Sequence, residues 1–394
     1  MKKRLIAGLL AVLMVFGLAA CGSSAAPAEA ESTTHTVTDL LAIERIFGVK
    51  VTDRVNALRE LLVYGSYLQN HGTHLYVLAA PDFLGQKSVF PVAEIDPALF
   101  DSALALKQLG NELCTAVGGR SIHPITAVVG GFTHEIGPDE YLAFAERMEA
   151  MVPFALATVD VFNSFTVPDM RTDGDILAMY APDKYAVCDS RVAKFIDADV
   201  AFDADEWTDH IEEYQVPHSG ALFARVRSTG RPYMTSALAR INVSWPHLSK
   251  QAKVAAAKAG LRPPERNPFR NNVAQAVELV DALERCAILC RRLAADEFEG
   301  ASTPAPFEVR AGRGVGYTEA PRGVVFHELE LDDAGRVVHA SIITPTSQNV
   351  ANMEADMRQL AELLLTQGAD EPTIRLRVEE LVRAYDPCLS CSVH

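Results

Sequence analysis

The sequence has little positive charge and few cysteines, and both shortages limit what the protein can do. Its 36 lysine and arginine residues are outnumbered by 51 aspartate and glutamate residues, which gives a formal charge of -15. Nucleic-acid-binding proteins carry clustered basic residues, and no such cluster occurs here, so nucleic acid is excluded as a partner. Seven cysteines among 394 residues are too few and too unevenly spaced for a disulfide framework.

Two other signatures are missing from the chain. No internal repeat is visible, and the glycine-rich stretch 312–316 lacks the lysine and the helix that a phosphate-binding loop requires. Apolar residues are plentiful, since 49% of the residues are hydrophobic and 22% are charged. This composition predicts a large folded core, and the length predicts two domains or one helical domain with a smaller β-rich insertion.

The N-terminus is typical of a bacterial lipoprotein leader. Basic residues follow Met1, residues 5–20 form an apolar run without charge, and small residues precede Cys21. This pattern predicts a signal peptide over 1–20, a lipid on Cys21 and a flexible tether over 21–35, with folded sequence from Thr36. An uncleaved anchor helix is the alternative. We expect a membrane-anchored lipoprotein if the leader is genuine, and a cytoplasmic protein if it is misassigned.

Helical spacing of apolar residues dominates the chain. Gly48 separates two N-terminal helices, Thr52 is a suitable N-cap for the second, and Gly119 suits a helix end. The predicted helical ranges are 36–84 in two parts, 97–116, 138–163, 248–259, 272–295, 349–367 and 372–384.

Two parts of the chain have shorter apolar runs between Gly, Asp and Pro residues, which indicates β-structure. They are 167–245 and 307–345. Strands are expected at 176–180, 185–187 and 222–226, from Phe307 to Arg310, and on either side of the turn 332–335. The predicted fold class is therefore mainly α with a smaller β-rich part (α+β), in one domain over 36–394.

The last nine residues carry the clearest chemical signal. They contain Cys388 and Cys391 in a Cys-x-x-Cys arrangement, with Asp386 and Pro387 before it and His394 after it. Two thiolates at this spacing can bind one soft transition metal. A thioredoxin-type redox pair would open a helix after a strand, and a structural zinc site would need a fourth ligand.

This arrangement resembles the C-terminal signature of the large, catalytic subunit of nickel-iron hydrogenases. Further blocks of the sequence are similar to that family in the same order. They are 58–61 with His71, His74 and Pro81-Asp82; 118–124 with Gly130-Gly131; Glu319 to Gly323 with His327; and 342–349. Together these blocks cover about 35–394. They are most similar to the cytoplasmic, multimeric branch of the family, which couples hydrogen to soluble electron carriers.

The resemblance implies a hydrogenase-type oxidoreductase that reversibly oxidises molecular hydrogen. It implies a nickel ion bridged by two cysteines to an iron with cyanide and carbonyl ligands, and partners that include an iron-sulfur small subunit and electron-carrier subunits. By position, Cys388 corresponds to a terminal nickel ligand and Cys391 to a bridging one. Arg322 corresponds to the arginine beside the metals, with Asp386 next to it.

A magnesium ion beneath the site is also implied. His394 corresponds to its ligand, and the backbone carbonyl of Thr344 is a candidate companion. We expect His74 and His123 in the layer of residues behind the metal ligands.

One departure from the family pattern bears on activity. The family supplies two more cysteines in an Arg-x-Cys-Gly-x-Cys motif shortly before the histidine that matches His35. Counting back from His35 places them near Ala28 and Glu31, where this chain has neither. The glutamates that the family carries upstream are missing as well.

The remaining cysteines do not replace the missing pair. Cys114, Cys188, Cys286 and Cys290 lie in apolar or helical runs, which predicts buried core thiols. Two functions therefore stay open. The chain is either a hydrogen-activating subunit, or a non-catalytic, lipid-anchored, hydrogenase-like scaffold; a chimeric or truncated sequence would also explain the loss.

Overall fold

The computed structural model describes residues 31–188 and 190–388. The predicted signal peptide, the lipid-bearing Cys21, and the C-terminal Cys391 and His394 lie outside the described residues.

Long helices form most of the described fold, which confirms a mainly helical α+β protein. They are α1 (Glu31–Phe47), α2 (Asp53–Thr73), α3 (Ala80–Phe83), α4 (Val89–Ile95), α5 (Pro97–Gly118), α6 (Pro138–Ser164), α7 (Trp207–His210), α8 (Ala237–Ser244), α9 (Lys250–Lys258), α10 (Asn271–Ala294), α11 (Pro345–Thr366) and α12 (Glu371–Ala384). A π-helical turn, His74–Ala79, joins α2 to α3. The predicted helices are present, although α11 begins at Pro345 rather than at 349.

The helix ends follow the local sequence. Thr52 Oγ1 accepts a hydrogen bond from the Val55 N–H at 3.2 Å and so caps α2. Gly48 and Gly119 adopt left-handed φ angles of 69° and 77°, which residues with a Cβ rarely do. Each of these glycines therefore ends a helix as predicted.

Helix α10 lies at the centre of the helical core. It packs against α6 on one side and α2 on another, and α2 in turn packs against α5. Every residue from Asn271 to Leu283 is buried. Polar side chains on this buried stretch are stabilised by hydrogen-bond partners, and Gln275 and Glu278 both have them.

The predicted tether up to residue 35 is wrong in its last part. Residues 31–35 belong to α1, and the side chains of Thr33 and Thr34 are fully buried. His35 Nδ1 lies 2.7 Å from His327 Nε2, so this segment is fixed to the distant β-structure. Burial of the two threonines accounts for the earlier start of the helix.

The β-structure consists of small, separate sheets. A three-stranded antiparallel sheet has the order β11 (Val337–Ile343), β10 (Gly323–Leu331), β9 (Gly312–Ala320). A four-stranded sheet has the order β5 (Val200–Asp203), β4 (Val192–Phe195), β3 (Asp175–Tyr180), β8 (Tyr233–Met234), with β3 parallel to β8. Two hairpins complete the set, β1 (Ala127–Val128) with β2 (Gly131–Phe132), and β6 (Ile211–Gln215) with β7 (Leu222–Val226).

Two predicted strands are wrong. Residues 307–310 are irregular, and the strand begins at Gly312 instead, in the glycine-rich stretch that sequence analysis did not assign to a strand. Glycine is needed there because α1 approaches closely: a Cβ on Gly316 would lie 2.0 Å from the Thr38 carbonyl oxygen. Residues 185–187 form no strand either. Among the described residues, no helix has the length and apolar character to cross a membrane.

Candidate metal site

Arg322 lies in the tight turn between β9 and β10. Gly323 pairs with Ala320, which leaves Pro321 and Arg322 as the two turn residues. Gly323 has a φ angle of 136°, and a Cβ there would lie 2.6 Å from Thr235 side-chain atoms. The turn is therefore pressed against the segment that precedes α8.

The C-terminal segment approaches this turn after α12 ends at Ala384. Asp386 adopts an unusual positive φ angle of 51°. Cys388 is buried, and its backbone N–H donates to Thr346 Oγ1 at 3.1 Å, at the start of α11. The end of α12 and the beginning of α11 thus determine where the Cys388 thiol lies.

Arg322 and Asp386 form a buried ion pair although 64 residues separate them. Arg322 Nε donates to the Asp386 backbone carbonyl at 2.7 Å and lies 3.2 Å from Asp386 Oδ1. Burial alone would raise the pKa of Asp386, but the positive charge of Arg322 and its polar neighbours hold that pKa below its usual value. The carboxylate therefore stays ionised beside Cys388.

Three further side chains surround the Asp386 carboxylate, and sequence analysis identified only one of them. Asn70 Nδ2 of α2 and Gln275 Nε2 of α10 donate to Asp386 Oδ2 at 2.7 and 3.0 Å. His74 is buried as predicted, with its Nδ1 3.9 Å from the same oxygen. The His74 ring nitrogens face Gln275 Oε1 and the Arg383 carbonyl. Asn70 and Gln275 could have been found only as polar residues within otherwise apolar helix faces.

A second buried charge cluster lies behind the Arg322 turn, and the sequence analysis missed it. Arg240 of α8 pairs with Glu278 at 2.6 Å and with Glu319 at 3.0 Å, and all three side chains are at most 1% exposed. His71 Nε2 lies 2.9 Å from Glu278. Sequence analysis assigned 167–245 to β-structure, whereas the structure places Arg240 on a helix. The only sequence signal for Arg240 was an arginine among apolar residues.

The two glutamates of this cluster have opposite pKa shifts. Burial raises the pKa of Glu319 to about 7, with Arg240 only partly opposing it. Burial acts on Glu278 too, but the charge and hydrogen bonds of Arg240 lower its pKa to about 2. Burial lowers the pKa of His71, which favours the neutral imidazole.

Thr344 lies at the N-cap of α11, close to the Cys388 segment. Its backbone carbonyl already accepts hydrogen bonds from Ser347 Oγ at 2.9 Å and from Gln348 Nε2 at 3.2 Å. Its role as a magnesium ligand stays a prediction.

His123 is not where it was expected. The side chain is exposed, and its backbone N–H donates to Ser32 Oγ at 3.0 Å. His123 itself has a left-handed φ angle of 53°. The prediction that it lies buried behind the site is wrong.

The other described cysteines are buried in the core as predicted. Cys114, Cys188, Cys286 and Cys290 form no disulfide among the described residues and are at most 5% exposed. Burial raises the pKa of Cys114 and Cys290 to about 12, and that of Cys286 well above its usual value. Over 31–188 and 190–388, no group of three or more His, Cys, Asp or Glu side chains could hold a metal ion.

The chain resembles known proteins in both sequence and fold. Residues 272–394 match the family described as nickel-dependent hydrogenase. Sulfhydrogenase 1 subunit alpha of Pyrococcus furiosus is 34% identical over 378 residues, which cover 92% of this chain and 83% of that protein. NAD-reducing hydrogenase HoxS subunit beta of Cupriavidus necator is 28% identical and covers 90% of this chain and 79% of its own length.

A solved structure supports the same assignment at the level of the fold. The crystal structure of an NAD+-reducing [NiFe]-hydrogenase in its H2-reduced state superposes with a TM-score of 0.81 and 24% identity, over 92% of this chain and 85% of that one. The sequence relatives and the shared fold agree. The chain belongs to the nickel-dependent hydrogenase large-subunit family.

Proposed function

We propose that this chain is built as the hydrogen-activating subunit of a nickel-iron hydrogenase, which in its complete form oxidises molecular hydrogen reversibly and passes electrons to an iron-sulfur small subunit. The sequence as it stands lacks two of the thiolates that this activity needs. The observation that carries the proposal is the buried Arg322–Asp386 pair directly before Cys388. Relatives of this chain are named as alpha or beta subunits of hydrogenases, which supports a small subunit as a partner.

The pair has a chemical use at a thiolate site. Arg322 is a fixed positive charge in a region that excludes water, where electrostatic interactions are stronger than in solution. Asp386 accepts from Asn70 and Gln275 and keeps Arg322 oriented. Such an arrangement stabilises anionic ligands or developing negative charge.

The donor set of this sequence does not complete the implied nickel-iron centre. Cys388 lies at the site, and Cys391 and His394 lie outside the described residues. The other described thiols are buried in the helical core, and positions 28 and 31 hold alanine and glutamate. A centre of four thiolates therefore has at most two of them here, so we derive no step through the metals.

The proposal includes a magnesium ion and an iron that carries cyanide and carbonyl ligands, both as parts of the complete centre. His394 and the Thr344 carbonyl are the candidate magnesium ligands. The lipoprotein leader and the attachment of a lipid at Cys21 are likewise proposals. A secreted leader would deliver the chain before cytoplasmic enzymes could insert the metals, so a genuine leader favours the scaffold described next.

The second candidate is a non-catalytic, hydrogenase-like scaffold. The specific observation in its favour is the absence of the first cysteine pair from a fold that is otherwise retained. A scaffold of this kind would bind the small subunit without holding nickel.

Metal content and turnover test the proposal. We expect the unmodified protein to hold nickel weakly, well below one ion per chain, and to show no hydrogen-dependent dye reduction. Replacing residues 1–31 with a segment that carries the Arg-x-Cys-Gly-x-Cys motif and its upstream glutamates should restore nickel, iron and turnover after maturation in a host that makes nickel-iron hydrogenases.

The control is the same repaired chain with Cys388→Ser, which should lose the metals again. Stoichiometric metal with turnover in the unmodified protein would mean that another group replaces the missing pair. A repaired chain that folds and binds the small subunit without taking up nickel would contradict the proposal and favour the scaffold.

A further inference from the structure

Arg240 uses all of its hydrogen-bonding capacity inside the protein. A guanidinium has five N–H groups. Its Nε and Nη2 donate to the two carboxylate oxygens of Glu278 at 2.6 and 2.7 Å, and Nη1 donates to Glu319 Oε2 at 3.0 Å. The remaining two N–H groups donate to the Ala320 and Pro321 backbone carbonyls, both at 2.8 Å.

Those two carbonyls belong to the turn that carries Arg322. The hairpin's own pairing fixes the shape of the turn, but the position of the turn relative to the rest of the molecule depends on contacts from outside the hairpin. Arg240 holds it at two consecutive carbonyls, immediately before Arg322. Thr235, which directly precedes the N-cap of α8, holds the far side of the turn, because its Oγ1 accepts the Val324 N–H at 2.9 Å.

The carboxylates fix Arg240 in turn. Glu278 extends from the enclosed helix α10 and also accepts from the Tyr185 hydroxyl at 2.5 Å. Glu319 accepts the Met179 N–H at 2.5 Å. The guanidinium carbon of Arg240 lies 4.8 Å from the centre of the Tyr67 ring. Arg240 is therefore braced by α10, β3 and α2 at once.

We propose that Arg240 is a positioning residue for Arg322: braced by Glu278 and Glu319, it fixes the β9–β10 turn so that the Arg322 guanidinium stays directed at the C-terminal segment. The inference deepens the proposed function, since Arg322 is the charge that this function uses. Arg240 itself has no contact with Asp386 or Cys388 among the described hydrogen bonds and ion pairs.

The test observes Arg322 directly and needs no metal. In full-length protein labelled with 15N-arginine, the Nε–H signal of Arg322 is assigned by its loss in Arg322→Lys. Its hydrogen exchange is then measured in the parent chain and in Arg240→Gln. We expect exchange at least about tenfold faster in Arg240→Gln, because the turn is released.

The matched control is Arg59→Gln. Arg59 forms an equally buried bidentate pair with Glu44, with N–O distances of 2.5 and 2.8 Å, and shares no described hydrogen-bond partner with Arg322. It should destabilise the protein comparably and leave Arg322 exchange within about twofold of the parent. Arg240→Lys, with three donors for five acceptors, should give an intermediate rate.

A second variant covers the case in which Arg240→Gln fails to fold. Arg240→Met with Glu278→Gln and Glu319→Gln removes the whole charged cluster, so no lone charge stays buried. Fast Arg322 exchange in this folded variant supports the proposal. Arg322 exchange that matches the parent in either folded variant, or that accelerates equally in Arg59→Gln, overturns it. Failure to load metal in the repaired chain would instead affect only the proposed function.

Discussion

At the scale of single residues, the site depends on buried charges that are paired by side chains from other elements. Asp386 is 2% exposed, and ionisation without partners would be costly there. Most of that cost is offset by the ion pair with Arg322 and by hydrogen bonds from Asn70 and Gln275. Removal of the arginine would leave the carboxylate with neutral donors alone.

Arg322→Met should therefore destabilise the protein strongly. Because it leaves a buried carboxylate without its cation, we expect a loss of about 3 to 5 kcal/mol in the free energy of unfolding, measured by urea denaturation at neutral pH. Arg147→Met is the control, because Arg147 pairs with Glu112 at a partly exposed site. Arg147→Met should lower the free energy of unfolding by only about 0 to 1 kcal/mol. Equal losses in the two variants would contradict the structural role of the pair.

Glu319 should make the stability depend on pH. Its pKa in the folded state is about 7, against an ordinary 4.5. Between pH 4.5 and 7 the folded protein keeps a proton on Glu319 that the unfolded chain has lost. The contribution of Glu319 to the free energy of unfolding is therefore greatest below pH 4.5 and falls as the pH rises to about 7. The loss is about 3 kcal/mol at most.

Glu319→Gln removes that titration. Relative to the parent chain, the variant should gain stability as the pH is raised from 4.5 to 7.5, measured by urea denaturation at several pH values. Asp82 and Asp356, whose pKa values burial raises to about 6, titrate in both proteins and cancel in the comparison. Parallel stability curves would show that Glu319 does not titrate in this range.

At the scale of secondary-structure elements, close approach decides which residues are tolerated. Helix α1 packs directly on β9, and the glycines of that strand make room for it. Thr38 of α1 also shares a hydrogen bond with Thr318 of β9 at 2.7 Å. The contact fixes the start of α1 next to the sheet whose turn carries Arg322.

Gly316→Ala should disturb this contact. The new Cβ would lie 2.0 Å from the Thr38 carbonyl oxygen and 2.8 Å from the Ala42 nitrogen, so the backbone of α1 must move. We expect a loss of about 1 to 3 kcal/mol and a lower melting temperature in calorimetry. Gly220→Ala, where a Cβ meets nothing within 4 Å, should stay within about 0.5 kcal/mol of the parent. If Gly316→Ala left the stability unchanged, α1 would not pack on β9 as closely as described.

At the scale of the whole molecule, the site gathers segments from most of the chain. Asn70 comes from α2, Gln275 from α10, Arg322 from the β9–β10 turn, and Asp386 and Cys388 from the segment after α12. The charge cluster around Arg240 adds α8 and β3 to the same region. Helices α2 and α8 pack on α10, and α10 side chains bond to Asp386 and Arg240, so α10 links the two parts of the site.

The sequence by itself determined the elements whose causes are local. Apolar spacing identified the long helices, and Thr52 and Gly119 identified helix ends. The motif at Cys388, together with the other ordered blocks, identified the family. Caps, turns and helical periodicity depend on neighbouring residues, which a linear sequence displays directly. The same reasoning placed strands at 307–310 and 185–187, where the tertiary structure has none, because short apolar runs do not specify a partner strand.

Only the tertiary structure decided which polar residues serve the site. Asn70, Arg240, Gln275 and Glu278 look like ordinary polar residues on helices, and nothing in their spacing connects them with Arg322 or Asp386. Their partners lie up to 316 residues away. A buried polar group is stabilised by whatever donor or acceptor the packing brings to it. The identity of that partner is a property of the assembled helices and sheets, so the sequence could not show that His74 is buried beside Asp386 while His123 is exposed.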